Sequence, residues 1–223
     1  MSETRCPNCG QPLAAGVGGL CAMCLLRLAA VTGTGASFED DPAATCRVLS
    51  VLGGTDHGSC YLADRPKGDA RVLVVLKTID RQAPADFAAR ARSAREKMRT
   101  LPAAAVARLQ DHGVTASGQP YFLFDYVRGL PIDVFCSRFD LRREQRLALA
   151  KRVDAVLDAI HAMGLTHGAI SSTNILVSGT AAAPEPRVLD LGVRASLAPL
   201  LPCGDDAADW GRLSKSIQKE HST

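Results

Sequence analysis

Residues 165–177 read LTHGAISSTNILV, and this loop decides how the rest of the chain is read. It opens on His167, reaches Asn174 seven residues later and closes on the apolar run Ile175, Leu176, Val177. The apolar run suits a short strand that anchors the far end of the loop in a core. Between the histidine and the asparagine stand only glycine, alanine, isoleucine, serine and threonine. None of these side chains takes up a proton near neutral pH, so a reaction that needs a base inside this loop finds none.

The flanks of the loop are patterned. RREQRLALAKRVDAVLDAIHAMG (142–164) reads as a long amphipathic helix, with Leu147, Ala150, Val153, Val156, Leu157 and Ile160 recurring at helical spacing as one buried stripe. PRVLDLGV (186–193) reads as a short strand that ends in Asp-Leu-Gly. Further upstream, RVLSVLG (47–53), SCYLAD (59–64), RVLVVLKTI (71–79) and YFLFDYV (121–127) are strand-like, and DFAARARSAREKMRT (86–100) has helical composition. The Gly-rich turn GGTDHG (53–58) joins the first two strands.

Composition narrows the class. A chain of 223 residues, 47% hydrophobic and 22% charged, suits one sizeable core plus a small module in a soluble globular protein. A net charge of +3 is too small to argue for nucleic acid or a membrane surface. The longest apolar runs fall well short of the ~20 residues of a membrane span. The opening MSETRCPNCG lacks a signal-peptide layout, so a cytoplasmic location is the expectation.

Four of the eight cysteines fall in the first 24 residues, in CPNCGQPLAAGVGGLCAMC (6–24). Cys6/Cys9 and Cys21/Cys24 form two C-x-x-C pairs, each suited to a knuckle turn that converges two thiolates on a metal. The eleven residues between the pairs allow a hairpin that closes a tetrahedral all-sulfur site, which suits structural zinc. A rubredoxin-type iron site and a redox dithiol are the competing readings. So short a segment has almost no core, and the metal would supply much of its folding energy. The zinc ribbon is therefore expected over 1–31, with a linker over 32–45. Cys46, Cys60, Cys136 and Cys203 are scattered singly, as buried reduced thiols often are.

Over about residues 46–213 the motifs, taken in order, resemble those of a protein kinase of the bacterial Ser/Thr type. LGGTDHGSCYLA resembles the phosphate-covering loop, with Gly53 and Gly58 in its first and third glycine positions, Thr55 in the middle one and Cys60 in place of valine. VVLK puts Lys77 at the phosphate-gripping lysine, with Val75 where alanine is usual. FLFDYVRG resembles the adenine-binding hinge, with Phe124 at the gatekeeper and Asp125 to Val127 along it. LDLGV puts Asp190 at the metal-binding aspartate, and LTHGAISSTNILV puts Asn174 at the other metal contact. The resemblance implies an α+β, bilobal fold: an antiparallel lobe over about 46–127, then a helical lobe over about 128–213, cut short after the start of its central helix. It also implies a site for ATP with magnesium, since phosphates need backbone N–H groups, a lysine and bound cations.

The departures from that family run in one direction. Ala169 stands at the catalytic aspartate, Gly168 at the arginine before it, and Ser171 where a lysine is usual. The helix that should offer a glutamate to Lys77 presents Arg90 or Arg92, depending on the alignment, with Glu96 a turn later as a substitute. Only VRASLAPLLPCG (193–204) separates Asp-Leu-Gly from DDAADWGRL (205–213), which resembles the start of the central helix with Asp206 and Gly211. The A-P-E motif is absent, and residues 214–223 read as a tail. The expectation is a pseudokinase that acts through a protein partner, with weak magnesium-dependent ATP binding. An active Ser/Thr kinase with a diverged loop and a remnant whose robust part is the zinc ribbon are the alternatives. For the ribbon, elemental analysis of the purified protein should find about one zinc per chain, lost in Cys9→Ser; iron, or no metal, would contradict it.

Overall fold

The computed structural model describes residues 46–55, 57–115 and 117–219. The expected zinc site at Cys6, Cys9, Cys21 and Cys24 and the linker at 32–45 lie outside the described residues. The described chain is α+β. In order it forms β1 (Arg47–Thr55), β2 (Gly58–Lys67), β3 (Ala70–Ile79), α1 (Phe87–Met98), β4 (Leu109–Val114) and β5 (Pro120–Asp125). Then come β6 (Leu130–Pro131), α2 (Ile132–Arg138), α3 (Arg143–Ala162), a 3-10 turn (Ser172–Asn174), β7 (Ile175–Gly179), β8 (Pro184–Val188), α4 (Val193–Ser196) and α5 (Asp206–Gln218). One sheet has the strand order β1-β2-β3-β5-β4 and another the order β6-β7-β8.

The described residues fall into two compact units. The first runs to Gln82 and includes Gly113–Tyr121. Its centre is the antiparallel meander β1-β2-β3. Gly68 takes the left-handed conformation (φ 59°) that the tight turn between β2 and β3 needs. Ala63, Val74, Leu76 and Ile79 are buried, and the alternation along β3 follows the two faces of the sheet. Asp64 on β2 accepts hydrogen bonds from Arg71 of β3 (2.7 Å) and Arg47 of β1 (2.6 Å). Those two guanidinium groups, Arg71 first, hold its carboxyl below the usual range and tie the three strands together.

The second unit comprises Ala83–His112 and the described residues from Phe122 onward. α1 buries Phe87, Ala91, Ala94 and Met98, one helical face, while its many charges point elsewhere. In α3 the buried residues are Arg146, Leu149, Ala150, Val153, Leu157 and Ile160. The stripe expected from spacing is thus right at four positions and rotated at its N-terminal end. Leu147 is exposed, because the first turn of α3 turns Arg146 inward instead, and Val156 is half-buried.

Arg146 is a buried cation met by carbonyl oxygens. Its guanidinium donates to Leu141 (2.6 Å), to Cys136 at the end of α2 (3.5 Å), and to Ile217 (3.0 Å) and Lys219 (3.4 Å) at the end of α5. The last carbonyls of a helix have no partner inside it and carry partial negative charge, so a planar, five-donor guanidinium suits two such ends at once. Removing the head would leave those acceptors without it. Arg146→Ala should lower unfolding stability by about 3 kcal/mol, read from urea denaturation. Arg143→Ala, at an exposed position of the same helix, should change it by less than about 0.5 kcal/mol.

Candidate functional site

Gly53, Gly58 and Lys77 lie in the first unit. Register pairs Cys60 with Lys77 and Leu62 with Val75, so these four side chains share one face of the sheet. Gly58 has a packing reason to be glycine: a Cβ there would lie 1.9 Å from the carbonyl oxygen of Thr78. Gly53 has none, since a Cβ there would meet no atom within 4 Å.

Asp125, Val127, Asn174 and Asp190 lie in the second unit. The N–H of Asp125 donates to the carbonyl of Arg108 (3.0 Å), and its side chain accepts from Gln110 (2.7 Å). Phe124 and Val127 are buried. Asn174 and Asp190 are brought to one end of the β7/β8 ladder. Ile175 pairs with Val188, and the N–H of Leu189 donates to the carbonyl of Asn174 (2.9 Å), so Asp190 follows directly. The amide nitrogen of Asn174 donates to Ala169 O (2.9 Å), which leaves Oδ1 as the atom able to meet a cation. Asp190 has φ 56°, a conformation that non-glycine residues rarely adopt and that aspartate tolerates better than most.

The loop itself is held by Asp206, the first residue of α5. Its carboxylate accepts from the N–H of His167 (2.8 Å), the N–H of Gly168 (2.7 Å) and Nε2 of His161 (2.9 Å). The preceding Asp205 does a different job: Oδ1 caps α5 by accepting from Ala207 (2.9 Å) and Ala208 (3.1 Å). Burial alone would raise the carboxyl of Asp206, but the bonds from His161, His167 and Gly168 outweigh it and hold the group below its ordinary value. His167 is buried; its Nε2 donates to Leu189 O (2.7 Å), and its Nδ1 accepts from the N–H of Ala169 (3.2 Å). These bonds brace the loop beside the Asp-Leu-Gly turn.

Ala169, where the sequence resemblance would expect a base, is half-buried. Arg90 of α1 is engaged with Asp86, the residue just before the helix (2.6 Å), while Arg92 and Glu96 are not buried. Gly168 has φ 72°, and a Cβ there would lie 2.3 Å from Sγ of Cys203, so no larger residue fits without displacement. Sequence reasoning passes over His161 and reads the four scattered cysteines as buried, whereas only Cys136 is buried, Cys46 and Cys60 are half-buried and Cys203 is exposed beside Gly168. Nothing in a motif marks His161; for Cys203 the signal was Gly168 itself, a glycine where the pattern has a long side chain.

No family model matches the chain. The serine/threonine-protein kinase pkn2 of Myxococcus xanthus is 24% identical over 153 residues, which is 69% of this chain and 18% of that protein. A crystal structure of the Mycobacterium tuberculosis PknI kinase domain, as a double mutant, superimposes with a TM-score of 0.54 at 24% identity, over 68% of this chain and 60% of that one. Another crystal structure of the PknI kinase domain gives 0.52 at 25% identity, over 68% and 61%. The described chain has a protein kinase-like fold. It spans less than a fifth of that curated relative and about three fifths of those kinase-domain structures. In this kinase-like domain, no described helix is long and apolar enough to cross a membrane.

Asp206 gives a prediction with a sign. A carboxyl held below its ordinary 3.8 contributes stability that is complete above that value and is lost as pH falls through the lower, folded-state pKa. Asp206→Asn offers one acceptor oxygen where two N–H groups and an imidazole converge. It should cost about 2–4 kcal/mol at pH 7, and this cost should shrink on acidification below about pH 4. Urea denaturation as a function of pH reads both.

Proposed function

We propose that the chain is a pseudokinase: a protein kinase-like domain that keeps the catalytic loop for its shape, transfers no phosphate and acts by binding a protein partner. The observation that carries this reading is Ala169. Around it the loop is held through Asn174 to Ala169 O and through Asp206 to His167 and Gly168, yet a methyl group can neither take a proton nor orient a hydroxyl. The other departures add to it. α1 carries arginines where a glutamate would steady the lysine, and a short segment replaces the peptide platform. Losses among groups that act together are not made good one at a time.

Weak nucleotide binding belongs to the same proposal. Gly53 is a glycine that packing does not require, which fits a backbone approached by phosphate. Magnesium is a hard cation that takes carboxylate and amide oxygens, and Asp190 with Asn174 supplies both types; the ion would neutralise phosphate charge. A millimolar site would raise stability by about 1 kcal/mol at a few millimolar ATP, or roughly 2–4 °C in Tm. Asp190→Ala should erase the magnesium-dependent part. No shift at saturating magnesium-ATP would leave these residues as structure alone. The zinc ribbon at 1–31 would be a second, purely structural metal module beside the partner-binding domain.

Phosphotransfer is the direct test. With radiolabelled ATP and magnesium, wild type should label neither itself nor a generic peptide, and Ala169→Asp should regain nothing. Autophosphorylation that disappears in Lys77→Met would overturn the reading and make the protein an active kinase.

A further inference from the structure

In the family that this fold resembles, the segment after Asp-Leu-Gly is a switch, ordered by phosphorylation through an arginine–phosphate pair. Here residues 193–204 are built differently. At the near end Gly192, with φ 86°, sits so close to α1 that a Cβ would lie 3.0 Å from Cβ of Ala94 and 3.8 Å from Sδ of Met98. α4 then packs along α1, with Val193 and Leu197 buried. At the far end Gly168 lies in a notch between Arg194 and Cys203, its hypothetical Cβ 3.4 Å from the one and 2.3 Å from Sγ of the other. The N–H of Gly204 donates to the carbonyl of Gly168 (2.8 Å), and Arg194 donates to the carbonyl of Pro202 (2.9 Å), closing the segment on itself.

The segment also lacks the parts of a phosphate switch. Ser196 is its only hydroxyl residue. Its side chain is fully buried and donates to Gly192 O (2.6 Å), out of reach of a kinase. The arginine that would receive a phosphate is Gly168, and a side chain there would have to displace that of the exposed Cys203.

We propose that residues 193–204 form a fixed strap that rivets α1 to the catalytic loop, so that helix, strap and loop keep one arrangement whether or not nucleotide is bound. Two glycines make the rivets: Gly192 against α1 and Gly168 against Cys203. A side chain at either notch would press on Ala94 or on Cys203 and would sit at a positive φ that favours glycine, so filling either notch should loosen the strap. The proposal does not depend on the absence of phosphotransfer; a strapped domain could bind ATP or not.

Hydrogen exchange on the full chain, read by mass spectrometry, tests it. In wild type, peptides spanning 193–204 should exchange at least roughly tenfold more slowly than an unstructured segment of the same sequence, and magnesium-ATP should leave their rates unchanged. Gly168→Arg, which restores the family's residue, should speed exchange in the strap and also in α1 at the other rivet; Gly168→Ala should do so to a smaller extent. Unprotected exchange in wild type, a change in strap rates with magnesium-ATP, or a faster strap with unaltered α1 would each overturn the proposal. Should neither variant fold, the wild-type comparison with and without magnesium-ATP decides alone.

Discussion

The second unit depends on a single carboxylate. Asp206 receives two consecutive backbone N–H groups of the loop and an imidazole from the end of α3. Buried N–H groups without an acceptor are expensive, and a turn that points two of them the same way needs an anion rather than a neutral oxygen. The neighbouring Asp205 caps α5, which fixes the helix that delivers the carboxylate. Arg146 holds the other end of that helix through its last carbonyls. From this fixed point His167 reaches Leu189, Asn174 reaches Ala169, and the Asp-Leu-Gly turn takes its place. None of these bonds involves the side chain at position 169. The bonds that shape this loop therefore ask nothing of the side chain at position 169.

Much of this was legible in the sequence because it rests on spacing. Seven residues from His167 to Asn174 and an apolar run after them set the β7 strand, and the strand that ends in Asp-Leu-Gly pairs with it. Alternation in RVLVVLKTI and helical recurrence in the long helix follow from the two-residue and 3.6-residue repeats. The first turn of α3 escaped that logic, because the four carbonyls that draw Arg146 inward come from Leu141 and from the ends of two other helices. β4 escaped it too: LQDHGV is a polar, half-buried strand with a glycine in it, and local propensity argues against it.

The site divides along the same line. Asp206 is visible as the start of a D-x-x-x-x-G pattern, but its acceptor role toward the loop is a tertiary fact. His161 has no motif at all. Gly168 looks in sequence like the loss of an arginine; in the fold it is the place where Cys203 sits. The short connection from the Asp-Leu-Gly turn to α5 passes close over the loop, and the N–H of Gly204 donates to the carbonyl of Gly168. Restoring single family residues would then meet packing before it met chemistry.

The central claim is that the loop is held by Asp206 independently of any base at position 169. Single-residue amide exchange measured by NMR tests it most directly. The N–H groups of His167 and Gly168 should exchange only through opening of the whole unit, with the same protection in wild type and in Ala169→Asp, and should lose that protection in Asp206→Asn. Fast exchange of these two amides in wild type, or protection that survives in Asp206→Asn, would contradict the account.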